Sequence, residues 1–235
     1  LLTLARSDLL TAWQAKIPPD APNRFLINIQ PEQHQALTDQ FGAASLPAPR
    51  LEPMIRGRLV SVNGKPVDPQ DFTDDRARRL VEREFNLSSR DDLPPGNAVI
   101  AGRWHTAGGG MQFSVEDGLA ASLKLGLGDE LAFVVAGQRF SGAITSLRKL
   151  DWDSMRVNFF VITPDGALDN QPTSYITSFY LPESEAGFIG ELVRQFPNIT
   201  VIDVAALVRQ LQATLDQVVG AVQFVFLFSL LAGLV

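Results

Sequence analysis

The chain has 235 residues, enough for one large domain or two small ones with a buried core. Hydrophobic residues make up 46% and charged residues 20%, which excludes disorder of the whole chain, and a net charge of -6 offers no basic surface for nucleic acid. The sequence contains no cysteine and two histidines, which excludes disulfides, thiolate metal sites, cysteine nucleophiles and histidine-rich metal sites.

The N-terminal residues predict a helix that ends at prolines. Apolar residues precede Arg6 and Asp8, and the helical pattern continues as far as Pro18 and Pro19. The segment lacks the basic start, apolar middle and small-residue cleavage site of a signal peptide. We therefore expect residues 1–22 to be the end of a preceding membrane or stalk helix.

A first β-α-β unit follows these prolines. Asn23 to Gln30 is rich in β-forming residues, and a helix opens at Pro31 and closes at Gly42. Leu51 to Val62 predicts the second strand, and Asn63-Gly64 after it is a strong hairpin-turn signal.

The middle of the chain predicts a hairpin-rich insertion that begins with helices and a short strand. Asp74 to Asn86 favours a charged amphipathic helix, and Asn97 to Gly102 a short strand. Ser114 to Lys124 fits a helix in which Ser114 is the N-cap and Asp117 the third helical residue.

The insertion ends in β structure. Asp129 to Leu150 alternates around Ala136-Gly137-Gln138, which predicts a hairpin, and Arg156 to Thr163 predicts one more strand.

A second β-α-β unit completes the extramembrane part. Ser174 to Leu181 predicts a strand, Pro182-Glu183 starts a helix that ends near Phe196-Pro197, and Ile199 to Val204 predicts the closing strand. Two such units in one domain predict a ferredoxin-like split sheet with its helices on one face.

The C-terminal residues predict one long helix. Val204 to Gln217 is amphipathic, and Val218 to Val235 carries no charge and reaches the length of a transmembrane segment. A fully buried core helix is the alternative, although such helices are usually shorter and have a polar side. No Gly or Pro separates the two stretches, so we expect a stalk helix that continues into the membrane. Its assigned residues are Leu207, Leu211, Leu215, Val218, Phe224, Phe226 and Phe228.

Two short motifs suggest chemistry but favour structural roles. Ser146 to Lys149 matches the S-x-x-K pattern of acyl-transfer enzymes, yet it falls in a strand, where positions three apart point to opposite faces. Asp151 and Asp153 lie on one side of an extended segment and would suit a hard cation, but a hydrogen-bonded loop is the simpler interpretation.

The remaining polar and aromatic candidates also predict no site. His34 is expected on a solvated helix surface and His105 in a loop, and Gly108 to Gly110 lacks the spacing of a phosphate loop. The aromatic candidates Trp104, Trp152, Phe159 and Phe160 are expected in the core. The sequence therefore predicts no catalytic, cofactor-binding or metal-binding residue.

Three runs of residues resemble a known family. Residues 84–105, 113–168 and 174–182 occur in the order found in the extracytoplasmic domain of FtsX/MacB-type ABC transporter permeases, and they are similar above all to the large YbbP-like permeases with duplicated modules. The resemblance covers most of the chain. It implies an α+β fold: a porter-like split β-α-β sheet domain interrupted by a β-rich insertion and flanked by stalk or transmembrane helices.

The resemblance implies five segments. They are the end of a membrane or stalk helix (1–22), the first half of the porter-like domain (23–68), the inserted β-rich subdomain (69–172), the second half of the porter-like domain (173–203) and the stalk and transmembrane helix (204–235).

The resemblance also implies a function without chemistry in this chain. The domain would lie in the periplasm, on a multi-pass permease of the bacterial inner membrane, and ATP and Mg²⁺ would bind a separate cytoplasmic ABC ATPase subunit. Stalk helices would carry the movement driven by ATP to the domain (mechanotransmission), which would act on lipids, lipoproteins or other hydrophobic molecules. Further candidate partners are the lipid bilayer and a periplasmic esterase, thioesterase or lipoprotein.

Two alternatives stay open. The chain would serve as a membrane-anchored docking module that recruits or regulates a periplasmic hydrolase without transport, or as a membrane-anchored enzyme that uses Asp151 and Asp153. An amphipathic stalk is compatible with transport and docking alike.

Overall fold

The computed structural model describes residues 20–204 and, beyond them, Ala206, Leu207, Gln210 and Gln217. The helix predicted at the N-terminus lies outside these described residues, and Val204 and the described residues after it are helical. Six of the seven residues assigned to the C-terminal helix also lie outside the described residues: Leu211, Leu215, Val218, Phe224, Phe226 and Phe228. Among the described residues, no helix is long and apolar enough to cross a membrane.

Eleven strands of the described chain form one continuous sheet. They are β1 (Arg24–Ile29), β2 (Glu52–Val62), β3 (Lys65–Pro66), β4 (Phe85–Ser89), β5 (Asn97–Gly102), β6 (Gln112–Glu116), β7 (Glu130–Val135), β8 (Gln138–Leu150), β9 (Val161–Thr163), β10 (Thr173–Phe179) and β11 (Thr200–Asp203). The helices between them are α1 (His34–Ala43), α2 (Asp75–Glu82), α3 (Asp117–Leu123) and α4 (Gly187–Gln195), with 3-10 turns at Pro31–Gln33, Pro69–Asp71, Trp152–Ser154 and Glu183–Glu185.

One end of the sheet has the strand order β11-β1-β10-β2. β1 is antiparallel to both β10 and β11, and β10 is antiparallel to β2. The two strands joined through α1 are therefore parallel with β10 between them, and the two strands joined through α4 are parallel with β1 between them. The first and last parts of the chain are thus interleaved in one sheet.

The helices α1 and α4 pack against this end of the sheet through aromatic side chains. The ring of Phe41 from α1 lies 4.9 Å from that of Phe179 on β10 and 4.8 Å from that of Phe188 on α4, in both cases edge to face. Such pairs add attraction between ring edges and faces to the burial of apolar area. Leu26 and Leu192 complete the centre of this cluster.

The other end of the sheet closes on itself. β2 pairs with β4, and the ladder continues through β9, β6, β8 and β7, which pairs with β2 again. Buried apolar side chains from all six strands fill the interior, and α2 and α3 add Leu80 and Leu119 to it. Gly57 of β2 lies at a close approach, because a Cβ atom there would meet the Leu87 Cδ1 atom at 2.8 Å.

The structure corrects two predictions in the insertion. The helix predicted from Asp74 to Asn86 ends at Glu82, and Phe85 starts a strand in which Phe85 and Leu87 are buried on one side and Asn86 between them is exposed. The helix predicted from Ser114 starts at Asp117 instead, and Ser114 lies in β6.

The cap of α3 explains the second correction. The Glu116 carboxylate accepts a hydrogen bond from the Leu119 N–H group (2.6 Å) and is the N-cap, while the Ser114 hydroxyl accepts one from Ser146 (2.7 Å). Ser114 therefore forms a hydrogen bond between two strands of the sheet and does not cap the helix.

Two further predictions are wrong in part. The strand predicted from Arg156 to Thr163 is limited to Val161–Thr163, and a left-handed residue, Met155 (φ 54°), precedes the irregular segment. Trp152, expected in the core, leaves 54% of its surface exposed, whereas Phe159 is buried.

Arg148 of β8 is a fully buried cation, and its side chain contacts Ser114 of β6 and Asn97 of β5. Its guanidinium donates to the Ser114 hydroxyl (3.0 Å), the Asn97 side-chain oxygen (2.7 Å) and the Phe159 carbonyl (2.6 Å). Burial lowers the pKa of Arg148 to about 10, partly opposed by the charge of Glu116, so the side chain stays protonated near neutral pH. Arg148 thus joins β8 to β5, β6 and the segment before β9.

Replacing this arginine tests its structural role. Arg148→Ala removes the buried and part-buried hydrogen bonds of the guanidinium and leaves a cavity, so we expect the free energy of unfolding to fall by about 3 kcal/mol or more. The control is Lys149→Ala on the exposed face of the same strand, expected to change it by less than about 0.5 kcal/mol. Urea unfolding followed by tryptophan fluorescence measures both, and equal effects of the two variants contradict the role of Arg148.

Candidate functional site

A cleft of about 540 Å³ opens between the segment that leads into β2 and the segment that follows β4. Its walls are mostly apolar, with Leu46, Val157, Phe179 and Tyr180 among the lining residues. Six prolines, whose rigid rings lack an N–H donor, also line the cleft: Pro22, Pro47, Pro49, Pro94, Pro95 and Pro182. Apolar walls with a few polar groups are typical of ligand sites.

The cleft forms where one strand stops short of its neighbour. β10 pairs with β2 only as far as Ile176 opposite Glu52, whereas its pairing with β1 continues to Phe179. Upstream of β2 the chain carries Pro47 and Pro49, which lack the N–H group that a ladder needs. In the described chain, the last residues of β10 therefore have no strand on that side, and the cleft lies there.

Six charged residues line the cleft, and four of them contact one another at its floor. Arg90 Nη1 lies 3.0 Å from Glu52 Oε1, and Arg90 Nη2 lies 2.5 Å from Asp92 Oδ2. Arg50 contacts the same carboxylates, with Nε 3.3 Å from Glu52 Oε1 and Nη1 3.0 Å from Asp92 Oδ1. Each cation thus contacts both anions in a closed cycle, which we call the ionic ring.

The pairing of β2 with β4 brings the two halves of the ionic ring together. Ile55 lies opposite Leu87 in this antiparallel ladder, and the same register continued outward places Glu52 opposite Arg90. The cycle therefore extends the ladder beyond its last backbone pair with side-chain contacts.

The ionic ring has a buried half and an exposed half. The side chains of Glu52 and Arg90 are 11% and 5% exposed, and those of Arg50 and Asp92 are 53% and 59% exposed. Burial raises the pKa of Glu52, although the charges of Arg90 and Arg50 act in the opposite direction. The hydrogen bond from Arg90 is the main cause that lowers the pKa of Asp92.

Several buried polar atoms around Arg90 have no hydrogen-bond partner in the described part of the chain. They are Glu52 Oε2, Ser88 Oγ, Arg90 Nε and His105 Nδ1. The His105 Nε2–H group donates to the Arg90 carbonyl (2.6 Å), and burial lowers the pKa of His105. Unpaired buried groups cost free energy, so their concentration here makes the ring region less well satisfied than the apolar cores.

The two ends of the described domain meet beside the cleft. The Asn23 side chain donates to the Leu181 carbonyl (2.9 Å) and accepts from the Leu181 N–H group (2.8 Å), while the Asn23 carbonyl accepts from the Val204 N–H group (3.1 Å). Arg24 Nη1 lies 3.0 Å from Asp203 Oδ1. We call these contacts the end junction.

The end junction is continuous with the cleft and with the C-terminal helix. Asp20, Pro22 and Pro182 line the cleft on either side of it. The Asp203 carboxylate also accepts a hydrogen bond from the Ala206 N–H group (2.8 Å), which satisfies a free donor at the start of that helix.

The structure does not gather the sequence-derived candidates into one site. Leu207 is helical and exposed, and the other residues assigned to the stalk and membrane helix lie outside the described residues. Ser146 is buried in β8 and Lys149 is exposed. Asp151 accepts a hydrogen bond from the Asp153 N–H group (3.1 Å), as a loop residue does.

The two histidines also lie apart. His34 is exposed on α1, with its ring edge to face against Tyr175 (5.9 Å), and His105 is buried in its loop. Within the described residues, no group of three or more His, Asp or Glu side chains could hold a metal ion.

Sequence reasoning missed the ionic ring and the end junction. The partners of Arg90–Glu52 and Arg50–Asp92 are separated by 38 and 42 residues, so local periodicity cannot pair them. One local signal was available, namely a basic and an acidic residue two positions apart at the start of β2 and again after β4, where both side chains point to one side.

Comparison with known proteins relates the chain to a transporter component. No protein-family model matches it. Over 210 residues, which are 89% of this chain, the sequence is 40% identical to an uncharacterized ABC transporter permease, YbbP, of Escherichia coli (strain K12). The chain is therefore related to part of an ABC transporter permease, and at this level the resemblance found in the sequence is confirmed.

The match covers only part of the relative, which limits the properties of the relative that can be assigned to this chain. The matched region covers 25% of the relative, so the chain spans about a quarter of its length. Activity, cargo and partners of a whole permease are accordingly proposals for this chain.

The raised pKa of Glu52 predicts a pH-dependent difference in stability between the wild type and Glu52→Gln. The folded chain binds this proton more tightly than the unfolded chain, so the wild type loses stability relative to the variant as the pH rises from the ordinary glutamate pKa through the raised value. Both proteins also contain His105, whose lowered pKa makes them lose stability as the pH falls. The difference between the two stabilities removes this contribution.

Urea unfolding of both proteins over a pH series measures this difference. Asp92→Asn is the matched contrast, because the lowered pKa of Asp92 makes the wild type lose stability relative to that variant as the pH falls through the lowered value. Parallel stability curves for the wild type and Glu52→Gln contradict the prediction.

Proposed function

We propose that this chain is the extracytoplasmic domain of an FtsX/MacB-type ABC transporter permease in the bacterial inner membrane. In this proposal the domain has a porter-like split β-α-β sheet with a β-rich insertion, lies in the periplasm and is not an enzyme. ATP and Mg²⁺ bind a cytoplasmic ATPase subunit. The relation to an ABC transporter permease supports the general role.

The end junction is the observation that carries the coupling role. A domain that receives movement from two membrane stems needs its chain ends held side by side, because separate ends would absorb the movement locally. Asn23, Arg24 and Asp203 hold them through one backbone bond, one ion pair and the cap of the outgoing helix. Movement of either stem would therefore act on β1, β11 and the neighbouring cleft together.

The cleft supports a role in binding. Its proline and aromatic walls suit an apolar or amphipathic group, in keeping with lipids, lipoproteins or other hydrophobic molecules as cargo. The same walls favour the second candidate function, a docking module that binds a periplasmic protein such as an esterase, a thioesterase or a lipoprotein without transport.

Charge exchange at the end junction tests the coupling role. In the full-length protein with its ATPase subunit, Arg24→Asp and Asp203→Arg each place like charges about 3 Å apart. We expect each single variant to reduce the stimulation of ATP hydrolysis by lipid or by a partner protein about five- to tenfold, the scale of a typical coupling free energy. The double variant restores the ion pair in reverse, but Arg at position 203 cannot accept the hydrogen bond from the Ala206 N–H group, so it should recover only part of the stimulation.

The matched control exchanges the exposed pair Asp75 and Arg78 on α2, which are 3.3 Å apart and remote from the junction in sequence. Its exchange should leave stimulation unchanged. Full stimulation in both single junction variants contradicts the coupling role, and failure of any ATPase to co-purify favours the docking module.

A further inference from the structure

The ionic ring holds one wall of the cleft in place. Arg50 ends the proline-bearing wall formed by residues 46–50, and its side chain joins that wall to Glu52 and Asp92. Its carbonyl accepts a hydrogen bond from the Thr177 hydroxyl of β10 (2.7 Å). The wall is thus fixed at two points at its end, one ionic and one through the backbone.

Glu52 Oε1 is the atom on which the buried half of the ionic ring depends. It accepts a hydrogen bond from Arg90 Nη1 and lies 3.3 Å from Arg50 Nε. The other carboxylate oxygen, Glu52 Oε2, is buried without a hydrogen-bond partner in the described chain. Asp92 keeps its own contacts with both arginines. Loss of the negative charge on Glu52 would therefore leave Arg90 paired with Asp92. The Arg50 side chain would keep only the largely exposed Asp92, a type of contact that water and salt weaken, and the Arg50 carbonyl would keep its hydrogen bond from Thr177.

The charges that face Glu52 come from three parts of the chain. Arg50 precedes it on the same segment, Arg90 and Asp92 follow β4, and Asp165 lies in the loop after β9. Its partner on β10, Ile176, is uncharged. Burial is the largest influence on the pKa of Glu52 and favours the protonated carboxyl group, as do the two aspartates, whereas the two arginines favour the ionised carboxylate.

We propose that the ionic ring is a proton-operated latch, in which uptake of a proton by Glu52 at Oε2 releases Arg50 and opens the cleft. The proton comes from solvent and returns to it, and no bond other than this O–H bond forms or breaks. Burial raises the pKa of Glu52, so Glu52 takes up a proton at a higher pH than an exposed glutamate does. The latch involves only described residues and does not require the permease role.

Distance measurement between two spin labels tests the latch. The 235 residues contain no cysteine, so Ala48→Cys and Pro95→Cys place one label on each of the two chain segments that line the cleft. The full-length protein is used, with any cysteine outside these residues replaced by serine. Double electron–electron resonance then reports the distance between the labels as the pH is lowered from neutral to mildly acidic.

We expect one short distance at neutral pH and a shift to longer distances on acidification. Glu52→Gln, which keeps the size of the side chain without its charge, should show the long distance at every pH. Arg50→Gln, a change at a half-exposed side chain, should do the same. His105→Gln tests the other buried titratable group near Arg90 and should keep the response of the wild type.

Each other outcome overturns the latch. A distance that does not change with pH removes the proton as its trigger. A wild-type response in Glu52→Gln, or loss of the response in His105→Gln with Glu52 intact, assigns the trigger to another group. Asp75→Asn, which breaks the exposed pair with Arg78, is the control for a general effect of removing an acidic residue.

Discussion

The architecture depends on one strand that belongs to both ends of the sheet. β2 pairs with β10 at its beginning, with β4 in its middle and with β7 toward its end. Its first residue, Glu52, is also a member of the ionic ring. Gly57 of β2 has no side chain, which leaves room for the side chain of Leu87 on β4. Because the ladder is continuous, displacement of the interleaved end of the sheet cannot leave the closed end unaffected. The cleft lies where this continuity is interrupted.

At the cleft and at the end junction, polar side chains connect separate segments of the chain. Prolines end the pairing of β2 with β10, and polar side chains take over the connections that backbone hydrogen bonds would otherwise make. At the end junction Asn23 and Arg24 supply them, and at the cleft floor Glu52 and Arg90 do. Side-chain contacts of this kind respond to charge, salt and pH, whereas the ladders on either side do not. The adjustable contacts are thus concentrated between two rigid parts.

Local sequence patterns predicted most helices and strands, whereas the candidate site is formed by contacts between residues that are distant in sequence. Asn63-Gly64 and Ala136-Gly137 occupy the positive-φ turns that their sequence indicates. The error at Ser114 arose because serine suits a helix cap and a buried strand bond equally, and only the position of Ser146 decides between them. The ionic ring depends on a register between β2 and β4 that no local pattern encodes. The porter-like fold name, the domain boundaries and the membrane helices stay predictions.

Hydrogen exchange in the full-length protein, bound to the ATPase subunit that the proposed function requires, tests whether the end junction and the cleft move together. Amide protection is compared with and without ATP. If they move together, ATP changes protection at residues 20–24 and, in the same experiment, at residues 46–52 and 90–92, while the buried strands β6 and β9 keep their protection. Changes confined to segments outside the cleft and the end junction would contradict this joint movement.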